Sequence, residues 1–355
     1  MKHLHYKKSG PQADKAGGSF LFPKKIIRGN NTCAGAAAFS RGQRTALIAD
    51  SYIMKNFGGI MDAAGEFEGL IFKGEACPGE FYRIKKELVR KKIRVIVSAG
   101  GGKVIDTCKF LAGEIKGLRH TCIPLSAATC SSMTPVSVVY SEKGGYMDTV
   151  DTKIPDVIII DYAAMESLPM AFFAAGLADT LAKHFEIKAC GKAAAIKTRY
   201  SGFISDYSAA VYGDMKKILK KWKKPCYEMK KQLVELNIFH SGMISLFGRF
   251  TGTSFIAHVL AYAMTFNDKA KGFLHGEHAG FSALVQEAYL KNSKNAEVIE
   301  KALETMEMPA RFTDFGIDGA GIGRVHKEFF RLKTKEKLYI PISENIMYNV
   351  IESFA

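Results

Sequence analysis

The sequence predicts a chain of two domains, in which an α/β domain built on a mainly parallel sheet precedes an all-helical domain. Three observations support this fold class. The chain has 355 residues, more than a single small core needs. Its first half alternates short β-branched runs with helical patterns, which is typical of a parallel sheet covered by helices on both faces. After Ala164, apolar residues recur only at helical spacing.

Short apolar runs predict the strands of the first domain in chain order. These runs are TALIADS from Thr45, GLIFKG, IRVIVSAGG, HTCIPLS, VSVVYSE and PDVIIIDYAAM. Four long stretches with helical spacing follow, and no convincing strand is predicted after Asp161. We place a flexible basic tail at 1–20, the α/β domain at 21–164 and the helical domain at 165–355.

The charge of the chain raises the question of a nucleic-acid partner. The net charge is +15, and the densest basic run, Lys216 to Lys231, contains eight lysines. No RNA-binding signature, zinc finger or basic zipper accompanies this run, and a lysine-rich helix face is usually solvated. We therefore expect small anionic ligands rather than nucleic acid.

The composition indicates neither a membrane protein nor an oxidising compartment. No apolar stretch reaches the length of a membrane-spanning helix, and the polar N-terminal segment lacks the apolar core of a secretory signal. The seven cysteines form no CxxC pair, which suits a reducing compartment better than a disulfide framework. We expect a cytoplasmic protein without a membrane partner.

Three consecutive glycines, Gly100 to Gly102, stand where a predicted strand meets a predicted helix. Glycines at such a joint let the backbone approach a ligand closely. The amides and partial positive charge of the helix N-terminus then attract a phosphate. The pattern is not GxGxxG, and Val104 stands where a P-loop requires Ser or Thr. On this motif alone, a tight turn without a ligand stays open.

Asp50 ends the first confident strand. An acidic residue at a strand end of such a sheet can accept hydrogen bonds from the ribose of an adenosine. It can equally cap the following helix. The sequence pattern leaves both interpretations open.

Four segments resemble, in the same order, those of the glycerol dehydrogenase group within the iron- or zinc-containing alcohol dehydrogenase superfamily. They are GGGKVID, AAGLADTLAKHFE, IAHVLAYAMT and FLHGEHAGFSALVQ. The stretches IPLSAATCSSMTPVSVVY, RFTGTSF and the C-terminal YIPIS and VIESFA are similar to the hydroxycarboxylate dehydrogenase A branch of that group. The resemblance implies a dehydroquinate synthase-like fold, with a Rossmann-like nucleotide-binding domain at 21–164 and a helical metal-binding domain at 165–355.

The same resemblance places metal ligands at Asp179, His258 and His275, through which catalysis would run. One carboxylate and two imidazoles leave an open coordination position, as a catalytic zinc needs. Iron-type members are expected to carry a further His four residues after the Asp, where this chain has Lys183. Zinc is therefore favoured, with iron as the alternative.

Nucleotide-binding positions also follow from the resemblance. Lys103 and the amides of the three glycines would hold a pyrophosphate. The ribose contact of Asp50 rests instead on its place at a strand end, since the hydroxycarboxylate dehydrogenase A branch is expected to lack an acid there. The further lining positions are Asp106, Thr134, Val136 and Tyr140. Because the Asp50 carboxylate would repel a 2′-phosphate, NAD(H) is the preferred cofactor and NADP(H) a possible one.

Cys130 occupies the position where glycerol dehydrogenases carry an Asp that binds substrate hydroxyls. A neutral thiol would not repel a substrate that has its own carboxylate. We predict a metal-dependent oxidoreductase, in a homo-oligomer, that transfers hydride between NAD(P)H and a 2-oxo or 2-hydroxy carboxylic acid. The nearest alternative is a glycerol dehydrogenase acting on glycerol or dihydroxyacetone. A glycerol-1-phosphate dehydrogenase and a dehydroquinate-synthase-like lyase are further alternatives.

Overall fold

A computed structural model of the chain describes residues 21–40, 42–62, 67–192, 201–248, 256–334, 338 and 341–355. The basic tail predicted at 1–20 lies outside the described residues, as does most of the RFTGTSF segment. The chain divides into two compact units, and the boundary falls between Leu168 and Pro169. No helix in the described ranges is long and apolar enough to cross a membrane.

Eight strands belong to the first unit. They are β1 Lys25–Gly29, β2 Thr45–Ala49, β3 Glu68–Ile71, β4 Val95–Gly100, β5 Arg119–Pro124, β6 Val136–Tyr140, β7 Tyr146–Asp151 and β8 Val157–Asp161. Six of them form one parallel sheet in the order β1-β8-β5-β4-β2-β3. The central strands β2, β4 and β8 are buried along their whole length, which explains their continuous apolar sequences. The predicted parallel sheet is confirmed.

Two strands lack the strong apolar run of their neighbours, and neither is among the predicted strands. β1 is an edge strand with exposed positions, and its sequence KIIRG contains only two large apolar residues. β7 pairs with β6 as an antiparallel hairpin outside the main sheet. β6 alternates buried and half-buried positions, as a strand with one covered face does. The run VSVVYSE therefore forms a strand, but in this hairpin rather than in the parallel sheet.

The strand order reverses between β2 and β4. From β2 the chain passes to β3 on one side, whereas from β4 it passes to β5 on the other. In open parallel sheets, ligands bind beyond the carboxyl ends of the strands at such a reversal. Ile48 pairs with Ser98, so Asp50 and Gly100, each two residues further on, lie on the two sides of this point.

Thirteen α-helices complete the described residues. The first unit holds α1 Ser51–Asp62, α2 Pro78–Arg90, α3 Gly102–Glu114 and α4 Tyr162–Glu166. The second unit holds α5 Met170–Lys192, α6 Ser201–Leu219, α7 Tyr227–Val234, α8 Ser241–Gly248, α9 Ile256–Met264, α10 His275–Tyr289, α11 Ser293–Thr305, α12 Gly319–Lys333 and α13 Glu344–Glu352. A π-helical turn, Glu235–His240, joins α7 to α8. No strand follows Asp161 within the described ranges, as predicted.

Two glycines allow α10 to cross α5 at very short range. A Cβ atom on Gly276 would lie 1.7 Å from the carbonyl oxygen of Ala175, and one on Gly280 would lie 2.9 Å from the Cβ of Ala178. Only residues without a side chain permit this approach. The crossing brings the first turn of α10 beside the middle of α5.

Candidate metal centre and nucleotide site

Three helices of the second unit bring one carboxylate and two imidazoles together. Asp179 lies in the middle of α5, His258 near the start of α9, and His275 is the first residue of α10. Nε2 of His258 lies 3.3 Å from Oδ1 of Asp179, and Nε2 of His275 lies 3.8 Å from the same oxygen. One potential ligand atom from each residue falls within a 4.8 Å cluster.

The spacing of these atoms fits a tetrahedral metal ion. Ligands held about 2.0 to 2.2 Å from a tetrahedral zinc are about 3.3 to 3.6 Å from one another. The distances from Asp179 Oδ1 to the nitrogens of His258 and His275, 3.3 Å and 3.8 Å, are close to this value. A mixed oxygen and nitrogen set of three suits a divalent transition metal with an open position.

A buried carboxylate fixes the orientation of His258. Both oxygens of Glu186 lie within 2.8 Å of Nδ1 of His258, and Oε1 also accepts from its backbone N–H at 3.0 Å. Because a carboxylate ion can only accept, Nδ1 carries the hydrogen. Nε2 therefore faces Asp179. Outer carboxylates that bond ligating histidines in this way fix the tautomer and raise ligand basicity.

Charges around His258 oppose the effect of its burial. Burial alone would lower the pKa of His258, but the negative charges of Glu186 and Asp179 raise it to about 10. In the metal-free protein the imidazole therefore binds a proton strongly. A divalent ion at Nε2 is attracted by the same two carboxylates with twice the charge of that proton.

Lys183 holds the other oxygen of Asp179. Its Nζ lies 2.5 Å from Oδ2 of Asp179 and 2.9 Å from Oγ of Ser241, the first residue of α8. Burial would raise the pKa of Asp179, but Lys183 and the two histidines hold it well below its usual range. The carboxylate is thus ionised, and its Oδ1 faces both imidazoles.

Burial, despite the nearby Asp179, lowers the pKa of His275 to about 3, so its imidazole is neutral at physiological pH. The ring of Tyr262, one turn after His258 on α9, stacks on it with centroids 5.8 Å apart. A neutral imidazole beside an ionised carboxylate is the state in which these groups bind metals.

Two nearby histidines do not join the cluster. His278 is buried, and its Nε2 lies 3.0 Å from the carbonyl oxygen of Ala270. His184 stacks on Tyr212 and lies 3.3 Å from Oγ of Ser208. His184 thus faces α6 rather than Asp179.

At the reversal point of the sheet, the glycine turn leaves the start of α3 accessible. Gly101 is the N-cap of α3, and no described side chain caps it. Gly100 has a φ of +152°, which side-chain-bearing residues rarely adopt, and a Cβ on Gly102 would lie 3.0 Å from Cγ2 of Thr129. The uncapped amides of the first turn are suitable donors to a phosphate.

Asp50 caps α1, the second of the interpretations that its position allows. Its Oδ1 accepts a hydrogen bond from the backbone N–H of Ile53 at 2.9 Å. A carboxylate has a second oxygen and further lone pairs. Capping therefore leaves the predicted ribose contact open.

Lys103 and Tyr140 lie next to each other, together with a carboxylate that the sequence motifs do not mark. Nζ of Lys103 lies 2.6 Å from Oε1 of Glu75 and 5.3 Å from the ring centroid of Tyr140. Burial raises the pKa of the Tyr140 hydroxyl, so the phenol stays protonated. Glu75 therefore pairs with Lys103 at the start of α3, although the Lys103 side chain is still 43% exposed.

Asp106 is buried in the first unit and bonds other groups of that unit. It pairs with the fully buried Lys109 at 2.8 Å, and its Oδ2 accepts from the backbone N–H of Val138 at 3.1 Å. Burial raises the pKa of Asp106, although Lys109 opposes the shift.

Lys109 ties the segment 130–136 to α3. It donates to the carbonyl oxygens of Ser131 at 2.7 Å, Thr134 at 3.1 Å and Val136. Cys130 is buried at the start of this segment, ahead of the short turn Ser131–Met133. One buried ammonium group thus contacts two predicted site residues, Thr134 and Val136.

Comparisons with known proteins agree on one family. Residues 23–162 match the model of the family described as iron-containing alcohol dehydrogenase. A glycerol dehydrogenase of Thermotoga maritima is 28% identical over 84% of this chain and 85% of its own length. Hydroxycarboxylate dehydrogenase A of Escherichia coli is 24% identical over 70% of each chain. The chain is an enzyme similar to the iron-containing alcohol dehydrogenases.

Solved structures of similar proteins share the fold of this chain. A probable glycerol dehydrogenase from Sinorhizobium meliloti superimposes with a TM-score of 0.82 at 22% identity, covering 95% of this chain and 97% of its own.

The sequence motifs do not indicate the role of several residues that position the candidate site. Lys183 and Glu186 follow Asp179 at four and seven residues, so all three share one face of α5. Three charged residues on one face of an otherwise apolar helix are a signal that the sequence does contain. Lys109 gives no such signal, because its burial depends on carbonyl groups distant in the chain.

Proposed function

We propose that this enzyme transfers hydride between NAD(H) and a small 2-oxo or 2-hydroxy carboxylic acid. The proposal of hydride transfer is supported by the presence of two features in one chain. One is an uncapped helix start at the reversal point of a parallel sheet. The other is a cluster of one carboxylate and two imidazoles at metal-ligand spacing.

In this proposal, the first turn of α3 binds the cofactor. The amides of Gly102, Lys103 and Val104 donate to the pyrophosphate, and the glycine turn lets it approach. Asp50 accepts from the ribose 2′-hydroxyl, which favours NAD(H) over NADP(H). Bound nicotinamide supplies or accepts the hydride.

Asp179, His258 and His275 would hold the metal, with zinc preferred over iron because the set has three protein ligands. A divalent ion held by these residues would polarise a carbonyl group of the substrate. Glu186 keeps Nε2 of His258 directed at the site, and Lys183 keeps Oδ1 of Asp179 directed there. These contacts preorganise the ligands before substrate arrives.

The acidic substrate class is supported by Cys130. In the resemblance to glycerol dehydrogenases, this position carries an Asp, which suits a polyol because it accepts hydrogen bonds. A carboxylate would repel an acid: two unit charges about 4 Å apart repel by roughly 4 kcal/mol at an effective dielectric near 20. The buried thiol of Cys130 removes that repulsion.

Glycerol oxidation is the second candidate, because several relatives carry the name glycerol dehydrogenase. Kinetics with 2-oxobutyrate, dihydroxyacetone and glycerol separate the two candidates. The acid proposal expects Cys130→Asp to depress activity on 2-oxobutyrate far more than on dihydroxyacetone, whereas the neutral Cys130→Ser should affect both similarly. Equal losses in Cys130→Asp, or a parent enzyme that prefers glycerol to every hydroxy acid, would contradict it.

A further inference from the structure

Lys183 places a positive charge beside the candidate metal ligands, although it is not itself a proposed ligand. Its Nζ contacts Oδ2 of Asp179 and Oγ of Ser241, and its side chain is only 12% exposed. We propose that Lys183 determines substrate charge: it makes the metal-loaded site cationic and so selects anionic substrates over neutral ones. This inference rests on the proposed function, which supplies the metal and the carboxylic acid.

The argument begins with the formal charges around the ligands. Asp179 and Glu186 contribute one negative charge each, Lys183 contributes one positive charge, and a neutral His258 and His275 contribute none. The protein groups therefore sum to one negative charge, and a divalent ion brings the loaded site to one positive charge. A monoanionic substrate neutralises that site. Without Lys183 the loaded site would be neutral and would give an anion no advantage.

Because these charged groups are buried, solvent and salt weaken their electrostatic effect on a nearby substrate only slightly. Asp179 and Glu186 are buried, and the side chain of Lys183 is 12% exposed. Charges in such positions are screened by salt much less than surface charges are. At an effective dielectric near 20, a unit charge about 6 to 12 Å from a substrate carboxylate changes its binding by roughly a hundredfold to tenfold.

A purely structural role predicts a different pattern. If Lys183 only neutralised Asp179 and held it in place, its removal would disturb the metal and impair every substrate alike. A charge-selecting role instead changes the ratio between anionic and neutral substrates of similar size. That ratio is the quantity to measure.

The test compares Lys183→Met, which removes the charge at similar length, with Lys183→Arg, which keeps it. Lys188→Met is the matched control, since Lys188 lies on the same helix, is exposed and contacts Asn295. Kinetics with 2-oxobutyrate and dihydroxyacetone are measured on zinc-loaded protein in 0.5 M salt, which screens the general positive surface. Bound zinc is quantified, and calorimetry measures 2-hydroxybutyrate binding directly.

Lys183→Met should lower the kcat/KM ratio of 2-oxobutyrate to dihydroxyacetone at least tenfold, mainly through KM, and weaken 2-hydroxybutyrate binding to the same extent. Lys183→Arg and Lys188→Met should keep the parent ratio within about threefold. An unchanged ratio in Lys183→Met overturns the inference, and so does loss of zinc, which would assign the lysine a metal-holding role. A parent enzyme that reduces dihydroxyacetone but not 2-oxobutyrate would instead refute the proposed function.

Discussion

Replacing Glu186 by Gln tests how the metal centre is built. The carboxylate is fully buried and lies 2.7 and 2.8 Å from Nδ1 of His258. Glutamine has nearly the same shape, so the cavity is preserved. Its amide can still accept one hydrogen bond from Nδ1, but it removes the negative charge that makes His258 a more basic ligand.

The expected cost follows from the contacts that are lost. Removing an outer partner of a ligating histidine typically weakens metal binding 10- to 100-fold, or about 1.4 to 2.7 kcal/mol. Glu186 and Asp179 together also raise the pKa of His258 to about 10 against the effect of burial, so a proton competes with the metal for Nε2. Its removal relaxes that competition, but a divalent ion loses twice the electrostatic attraction that a proton loses. The net effect is therefore weaker metal binding.

Competition titration against a chromophoric chelator measures the zinc dissociation constant of the parent and of Glu186→Gln at one pH. Glu287→Gln is the matched control, because Glu287 is buried in α10 and bonds Asn295 rather than a ligand. A zinc affinity in Glu186→Gln within threefold of the parent would refute the reasoning. So would an equal loss in Glu287→Gln, which would make the effect one of buried charge in general.

Three further predictions concern the crossing of α5 and α10, the cofactor and pH. Gly276→Ala should weaken zinc binding and destabilise the fold by about 1 to 3 kcal/mol or more, because its Cβ would lie 1.7 Å from the Ala175 oxygen. Gly323→Ala is the control, because open space surrounds that position. It should change neither the zinc affinity in chelator titration nor the stability in thermal unfolding. Asp50→Gly should raise the kcat/KM of NADPH relative to NADH, and a parent enzyme that already prefers NADPH would show that Asp50 does not read the ribose. Burial lowers the pKa of His120 to about 3, so the unfolded chain takes up this proton first. The contribution of neutral His120 to the free energy of unfolding is complete above pH 6.5 and is lost toward pH 3 at up to about 1.4 kcal/mol per pH unit. The free energy of unfolding of His120→Gln should therefore fall less steeply with decreasing pH than that of the parent protein.

The central strands and the long helices could be predicted because their signal is local. β4 is a continuous apolar run that ends at three glycines, and both features lie within ten residues. β1 could not be predicted in this way, since two isoleucines in KIIRG resemble many loops. Its pairing with β8, more than 120 residues away, makes it a strand. Edge strands bury less side-chain surface than central strands, so their sequences are less constrained.

Residues that act through a distant partner escaped prediction for the same reason. Gly276 and Gly280 lie in the same segment as His275, but the sequence does not show why they are glycines. The reason is the close contact of α10 with Ala175 and Ala178 of α5. Glu75 reaches Lys103 across 28 positions. The family resemblance marks the proposed ligand positions, but it does not describe what holds these side chains in place.

The sequence of α5 nevertheless contains more of the site than its motif suggests. Asp179, Lys183 and Glu186 recur at i, i+4 and i+7, the spacing of one helical face. Charges at this spacing usually mark a solvated face, but here the residues between them are buried as well. A helix buried all round cannot keep charges unless each has a partner. Asp179 and Lys183 pair with each other, which leaves Glu186 to be paired by a cation from another helix. The proton on His258 fills that requirement in the metal-free protein, and a divalent ion held by Asp179 and His258 would fill it better. The charge pattern of one helix therefore implies a cation at its centre, independently of any family resemblance.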